Sequence, residues 1–145
     1  MLKSIPPILG PDLLYALRAM GHGDEIVIVD ANFPAEYLGP EVMRLDGVSA
    51  TQVLDAVLTL MPLDDFVDAA AIGMAVVGDA AARPPIYGEF ETIITRHEPG
   101  QGFSTIERFA FYERARTAAA VVQTGEARLY GNIILKKGII RPAAA

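Results

Sequence analysis

An α/β fold, a single sheet with helices packed on its faces, is predicted by three features of this 145-residue chain. Short β-branched runs alternate with stretches whose apolar residues recur at helical spacing, the pattern of strands and helices taken in turn. Ile26–Val29 is apolar at every position, which marks a strand buried on both faces rather than the alternating strand of a half-exposed sheet. No internal repeat, low-complexity tract or linker breaks the pattern, so residues 1–145 read as one domain.

The elements follow in order. Pro11-Asp12 opens a helix, because proline at the first helical position forfeits an N–H that has no partner there anyway. Leu13, Leu14, Leu17 and Met20 form its apolar stripe, and Gly21 is placed to stop it. Ile26–Val29 is the first strand. Ala31 to Pro40 holds two prolines and a glycine and reads as a loop, with Val42–Leu45 a second short strand. Ser49-Ala50-Thr51-Gln52 has the spacing of a capping box and starts a helix carrying Leu54, Val57, Leu58 and Met61 on one face, ended near Pro62. Ile72–Val77 is an apolar strand closed by Gly78-Asp79. After Pro84-Pro85, the residues Ile86, Phe90, Ile93, Ile94 and His97 recur at helical intervals until Pro99-Gly100. Thr105–Glu107 reads as extended and Arg108–Arg116 as helical. Ala118–Val122 and Leu129–Leu135 are the last strands, joined through Thr124-Gly125-Glu126.

Composition narrows the partners. The chain is 52% hydrophobic and 21% charged, with mean hydropathy +0.32. That is more apolar surface than a small lone domain hides, so a homo-oligomer is expected, although an Ala- and Val-rich core accounts for part of the score. A net charge of −6 argues against a nucleic-acid partner, which needs clustered Lys and Arg. No apolar run approaches the ~20 residues that span a bilayer, and Met1–Pro7 lacks the features of a signal peptide. With no cysteine, the chain has no disulfide or thiolate chemistry and agrees with a cytoplasmic location.

The polar chemistry centres on few residues. His22 lies between Gly21 and Gly23, on a loop between the first helix and the first strand. An unperturbed imidazole, with a pKa of roughly 6.5, gives and takes a proton near neutrality. Spacing alone leaves it either a cation capping the helix C-terminus or an acid/base group. Asp30, at the end of the strand, is either a loop-stabilising carboxylate or a group that binds a polyhydroxylated ligand or orients the imidazole. His97, near a helix C-terminus, reads as structural. In Arg108–Arg116, the residues Arg108, Tyr112 and Arg116 share a helical face, which is either a polar ridge of cations around a phenol or a solvated surface with Glu113 and Arg114 paired to neighbours. If Tyr130-Gly131-Asn132 is strand, Tyr130 and Asn132 share a side and Gly131 removes bulk on the other. A phenol beside an amide suits a sugar, whose hydroxyls need mixed donors and acceptors. There is no Walker A motif, dinucleotide glycine fingerprint, structural-zinc spacing or Gly-x-Ser-x-Gly elbow, so no cofactor or metal is expected.

These residues also carry a resemblance. Met20-Gly21-His22-Gly23-Asp24-Glu25, Asp30-Ala31-Asn32-Phe33-Pro34-Ala35, Arg108-Phe109-Ala110-Phe111-Tyr112-Glu113-Arg114 and Tyr130-Gly131-Asn132-Ile133-Ile134-Leu135-Lys136-Lys137-Gly138 resemble the L-fucose mutarotase/D-ribose pyranase family. The likeness runs from near residue 1 to about residue 139, and the Tyr112 block and the Lys-Lys-Gly ending favour its fucose branch. It implies that fold and an aldose mutarotase activity without cofactor, with pyranose–furanose conversion of ribose or non-catalytic monosaccharide binding as alternatives. It further implies His22 as the acid/base group; Asp30 is expected to bind sugar hydroxyls or to set the imidazole tautomer, and is favoured over Asp24 as the carboxylate partner. The substrate-binding set is Asp30, Arg108, Tyr112, Tyr130, Gly131 and Asn132, with Arg116 matched less securely. Asn32 departs from the fucose pattern, which often has histidine there. The family implies ring-like oligomers, typically decamers, with pockets near subunit contacts.

Overall fold

The β-branched runs assemble into one six-stranded sheet in the order β2-β5-β1-β6-β3-β4. The strands are β1 (Glu25–Val29), β2 (Val42–Leu45), β3 (Ala71–Met74), β4 (Ser104–Ile106), β5 (Ala120–Thr124) and β6 (Ile133–Lys136). The helices are α1 (Pro11–Ala19), α2 (Ala35–Leu38), α3 (Ala50–Leu60), α4 (Pro85–His97) and α5 (Arg108–Arg116). This computed structural model describes residues 1–144. β1 is parallel to β5, β5 to β2, and β3 to β4, while β6 runs antiparallel to both β1 and β3. Five strands therefore end on one edge of the sheet, and β6 begins there.

β1 is central, and Ile26 to Val29 are wholly buried, as a run without polar alternation requires. Alternate side chains point to opposite faces. Ile26 and Ile28 pack with α1, α3 and α4, whereas Val27 and Val29 pack with α2 and α5. The capping box of α3 forms as predicted: the Ser49 hydroxyl accepts from Gln52 N–H, and the Gln52 side chain accepts from Ser49 N–H. At α5 the Glu107 carboxylate takes the N–H groups of Phe109 (2.8 Å) and Ala110 (3.1 Å), which makes Arg108 the first helical residue.

Four stretches depart from the expected boundaries. Ala31 to Pro40 is not all loop: α2 forms one turn there, burying Ala35 and Leu38, and Gly39 ends it in the left-handed region at φ 88°. β3 stops at Met74 instead of Val77 because its partner β4 is three residues long. β5 begins at Ala120 rather than Ala118, whose N–H still bonds Ala115 O at the end of α5. β6 begins at Ile133, opposite Ile28 and Gly73, so Tyr130 and Asn132 lie beyond the ladder. Tyr130 sits in a left-handed turn at φ 64°, and the shared strand face expected for Tyr130 and Asn132 does not form.

Candidate active site

A cavity of about 210 Å³ opens at the edge where the five parallel strands end, the place where open α/β sheets bind ligands. Asp30 follows β1, Asn132 precedes β6, Met74 ends β3 and Arg108 opens α5, so four separate segments converge on it. Tyr112 lies one helical turn beyond Arg108, and Tyr130 comes from the turn before β6. Asn32, Phe33 and Pro34 form one wall, and Val77 and Leu129 another. Five of the expected binding residues, Asp30, Arg108, Tyr112, Tyr130 and Asn132, therefore share one cavity although they span a hundred positions of sequence.

Hydrogen bonds hold this constellation in place. Asp30 N–H donates to Asn132 Oδ1, and Asn32 N–H donates to Asp30 Oδ1, both at 2.9 Å. Gln123 Nε2 donates to Phe33 O at 2.8 Å and Asp30 O at 3.3 Å, tying down the loop after β1. Val77 N–H donates to the Tyr130 hydroxyl at 3.1 Å. The Tyr112 ring meets Phe33 edge-on, centroids 5.5 Å apart.

Two groups carry electrostatic tension. Asp30 is buried, and burial pushes its carboxyl above the ordinary carboxylate range, against the hydrogen bonds from Asn32 and Asn132. Arg108 stacks over Phe109 at 4.6 Å, and its buried Nε has no hydrogen-bond partner among the described residues. An unmet buried donor costs roughly 1–3 kcal/mol, the kind of expense found where a ligand is to be held.

The Asp30 shift gives a signed expectation. A carboxyl whose folded pKa lies above its ordinary 3.8 favours the folded state when protonated and opposes it when charged. Asp30→Asn keeps the Oδ1 acceptor and removes the charge, so at neutral pH it is expected to melt no lower than the parent. That advantage shrinks to nothing as pH falls through the raised pKa to below 3.8. Thermal melts over that series check it, and a Tm deficit at neutral pH would reverse the sign.

His22 does not join this cavity. It precedes β1 and Asp30 follows it, so five strand residues, about 16 Å at ~3.3 Å each, separate the two edges. The expected pairing of His22 with Asp30 within one chain is therefore corrected. His22 Nε2 instead meets Asp64 Oδ1 at 2.9 Å, and its ring lies 5.0 Å from Phe66. Asp64 is buried while the imidazole is 41% exposed, which leaves the ring presented outward. The imidazole and Phe66 N–H together hold the Asp64 carboxyl below its usual range. Asp24 accepts from Gly21 N–H at 2.7 Å inside the same loop.

Other residues weighed in the sequence lend no side chain to the cavity. Gly131 gives the cavity no side chain, but its backbone hydrogen-bonds the Asp30 carboxyl; a Cβ there would lie 2.8 Å from Glu126 Cγ and 3.1 Å from Ile86 Cδ1, so glycine permits close packing of the turn. Arg116 pairs with Glu113 and lies over Tyr37, off the cavity, because only the first turn of α5 reaches it. His97 pairs with Asp55 at 2.6 Å in the last turn of α4, as a structural histidine does. Arg114, read from the sequence as pairing with a neighbour, is bonded to Glu25. Sequence reasoning missed Asp64, since no local spacing links it to a histidine 42 positions away. It also missed the apolar walls Met74, Val77 and Leu129.

Comparison with known proteins adds to this geometry. The model of the RbsD / FucU transport protein family matches residues 3–140. The chain is similar to the fucose mutarotase of Homo sapiens, 49% identical, with 96% of this chain and 94% of that one covered. It superposes on the crystal structure of the fucose mutarotase from Streptococcus pneumoniae in complex with L-fucose, with TM-score 0.90, 45% identity and coverage of 97% and 100%. The Bacillus subtilis RbsD complexed with D-ribose has TM-score 0.75 at 23% identity, covering 97% of this chain and 100% of that one, a likeness of fold.

Proposed function

The chain belongs to the RbsD / FucU transport protein family, and on that premise we propose that it is an isomerase interconverting the α and β anomers of L-fucose or a related aldose. The supporting observation is the convergence of Asp30, Arg108, Tyr112, Tyr130 and Asn132 on one cavity in a fold shared with a fucose-bound mutarotase. The anomeric hydroxyl loses a proton as the ring oxygen gains one, the ring opens, the C1–C2 bond rotates, and closure occurs on the other carbonyl face. No electrons leave the sugar, so the reaction needs proton relays rather than a redox cofactor, and such relays contribute about 10²–10⁴-fold.

Arg108 and Asn132 hold hydroxyls, Tyr112 and Tyr130 supply aromatic walls and phenolic hydroxyls, and Asp30, kept basic-shifted by burial, binds hydroxyls or serves as one relay. His22 is the other relay, set by Asp64, and reaches the sugar in a neighbouring copy's cavity. Exposed apolar residues support that arrangement: Phe109, Leu129 and Val77 lie at the cavity edge, and Phe66, Ile139 and Ile140 at the His22 edge. Two different edges joined head to tail form a heterologous contact, which generates a ring when the rotation closes. A ring homo-oligomer, a decamer on the family's pattern, acting in the cytoplasm completes the proposal. No helix among the described residues is long and apolar enough to cross a membrane.

NMR magnetisation transfer between anomers of L-fucose, D-ribose and related aldoses tests the reading. Exchange above the buffer rate, greatest for L-fucose or a near relative, is expected. Saturable binding without faster exchange would instead leave a sugar-binding protein.

A further inference from the structure

We propose that Lys137 is a positioning residue that seats the His22 imidazole against Asp64, an inference that rests on the reading of His22 above. Lys137 follows β6, and its ammonium donates to Leu17 O at 2.7 Å and Met20 O at 2.5 Å. Those carbonyls close α1, where the last turn leaves acceptors without intrahelical donors. A cation there satisfies them and complements the helix dipole. His22 follows Met20 by two residues, so the ammonium anchors the start of its loop.

The main chain of Lys137 grips the other side of that loop. Gly23 N–H donates to Lys137 O at 2.8 Å, and Lys137 N–H donates to Asp24 O at 2.9 Å. The same residue bridges antiparallel to Leu63. Its neighbours complete the junction: Asp64 N–H donates to Lys136 O at 3.0 Å, and Gly138 N–H donates to Pro62 O at 2.8 Å. A Cβ on Gly138 would lie 2.4 Å from Leu63 O, so glycine lets the strands close at this point. Lys137 thus joins the two segments that carry the imidazole and its carboxylate. Outer partners of this kind fix the orientation of a reacting side chain.

The test uses the full chain carrying Lys137→Met, which keeps the aliphatic stem and removes the three donors. Two readouts are taken: the His22 ring resonances and the anomer-exchange kinetics. The ring resonances are expected to move, since the imidazole shifts relative to Phe66. The maximal exchange rate is expected to fall roughly ten- to a hundredfold, the loss that follows a misplaced catalytic group, with KM changed by less than about twofold. Lys137→Arg keeps the cation on a longer, planar group and is expected to fall between the two. Unmoved ring resonances, or an exchange rate within about twofold of the parent, overturn the proposal. If Lys137→Met does not fold, the same two readouts on Lys137→Gln, which also removes the cation, decide it by the same criteria. Failure of the underlying reading looks different: His22→Ala would then keep full exchange whatever Lys137 does.

Discussion

His22→Ala is expected to lower anomer exchange to the rate in buffer, a loss of about 10²–10⁴-fold for removal of a positioned proton relay. The fold survives, because the imidazole is 41% exposed and its partner Asp64 keeps the Phe66 N–H at 3.0 Å. Sugar affinity changes little, since Asp30, Arg108 and Asn132 lie on the opposite sheet edge. Magnetisation-transfer NMR on the variant measures the rate, and parent-like exchange would remove His22 from the mechanism. The separation of His22 from the cavity adds a second test. At sugar concentrations too low to fill the Arg108→Ala site, co-expressed His22→Ala and Arg108→Ala chains regain exchange if the site is shared, with roughly a quarter of sites intact in a random equimolar ring. If each chain works alone, mixing restores nothing.

Arg108→Ala is expected to weaken sugar binding by roughly ten- to a hundredfold, the loss of hydrogen bonds from a charged donor, about 1.5–3 kcal/mol. Glu107 fixes where α5 starts, and so fixes Arg108 at the cavity with its Nε buried and unmet by protein. Removing that group also removes a buried donor, so the variant melts no lower than the parent. Arg108→Lys rescues little, because a point charge cannot reproduce the planar fork over Phe109. Titration of L-fucose by NMR or calorimetry checks this. Unchanged affinity would mean that the guanidinium faces away from the sugar.

Much of this molecule is legible in residue order because its elements are specified by local rules. Ile26–Val29 is buried without alternation, Ser49 and Gln52 cap α3 reciprocally, and Arg108–Arg116 is α5 from end to end. Those features depend on spacing of two to four residues, and any neighbourhood of the chain displays them. Strand ends were less legible: β3 stops opposite the last residue of β4 and β6 begins only at Ile133, and where pairing ends is not written in the strand itself.

The site divides along the same line. Motifs along the chain name His22, Asp30, Arg108, Tyr112, Tyr130 and Asn132 as the polar residues worth weighing. Which of them meet depends on strand order and direction. β6, inserted antiparallel between β1 and β3, carries Asn132 to Asp30 at one edge and Lys137 to the His22 loop at the other. The same strand β1 whose Ile26–Val29 is so readable holds His22 and Asp30 apart and hands the imidazole to Asp64. Local chemistry is a property of neighbouring residues, whereas the length and direction of a buried strand set what two distant side chains can touch.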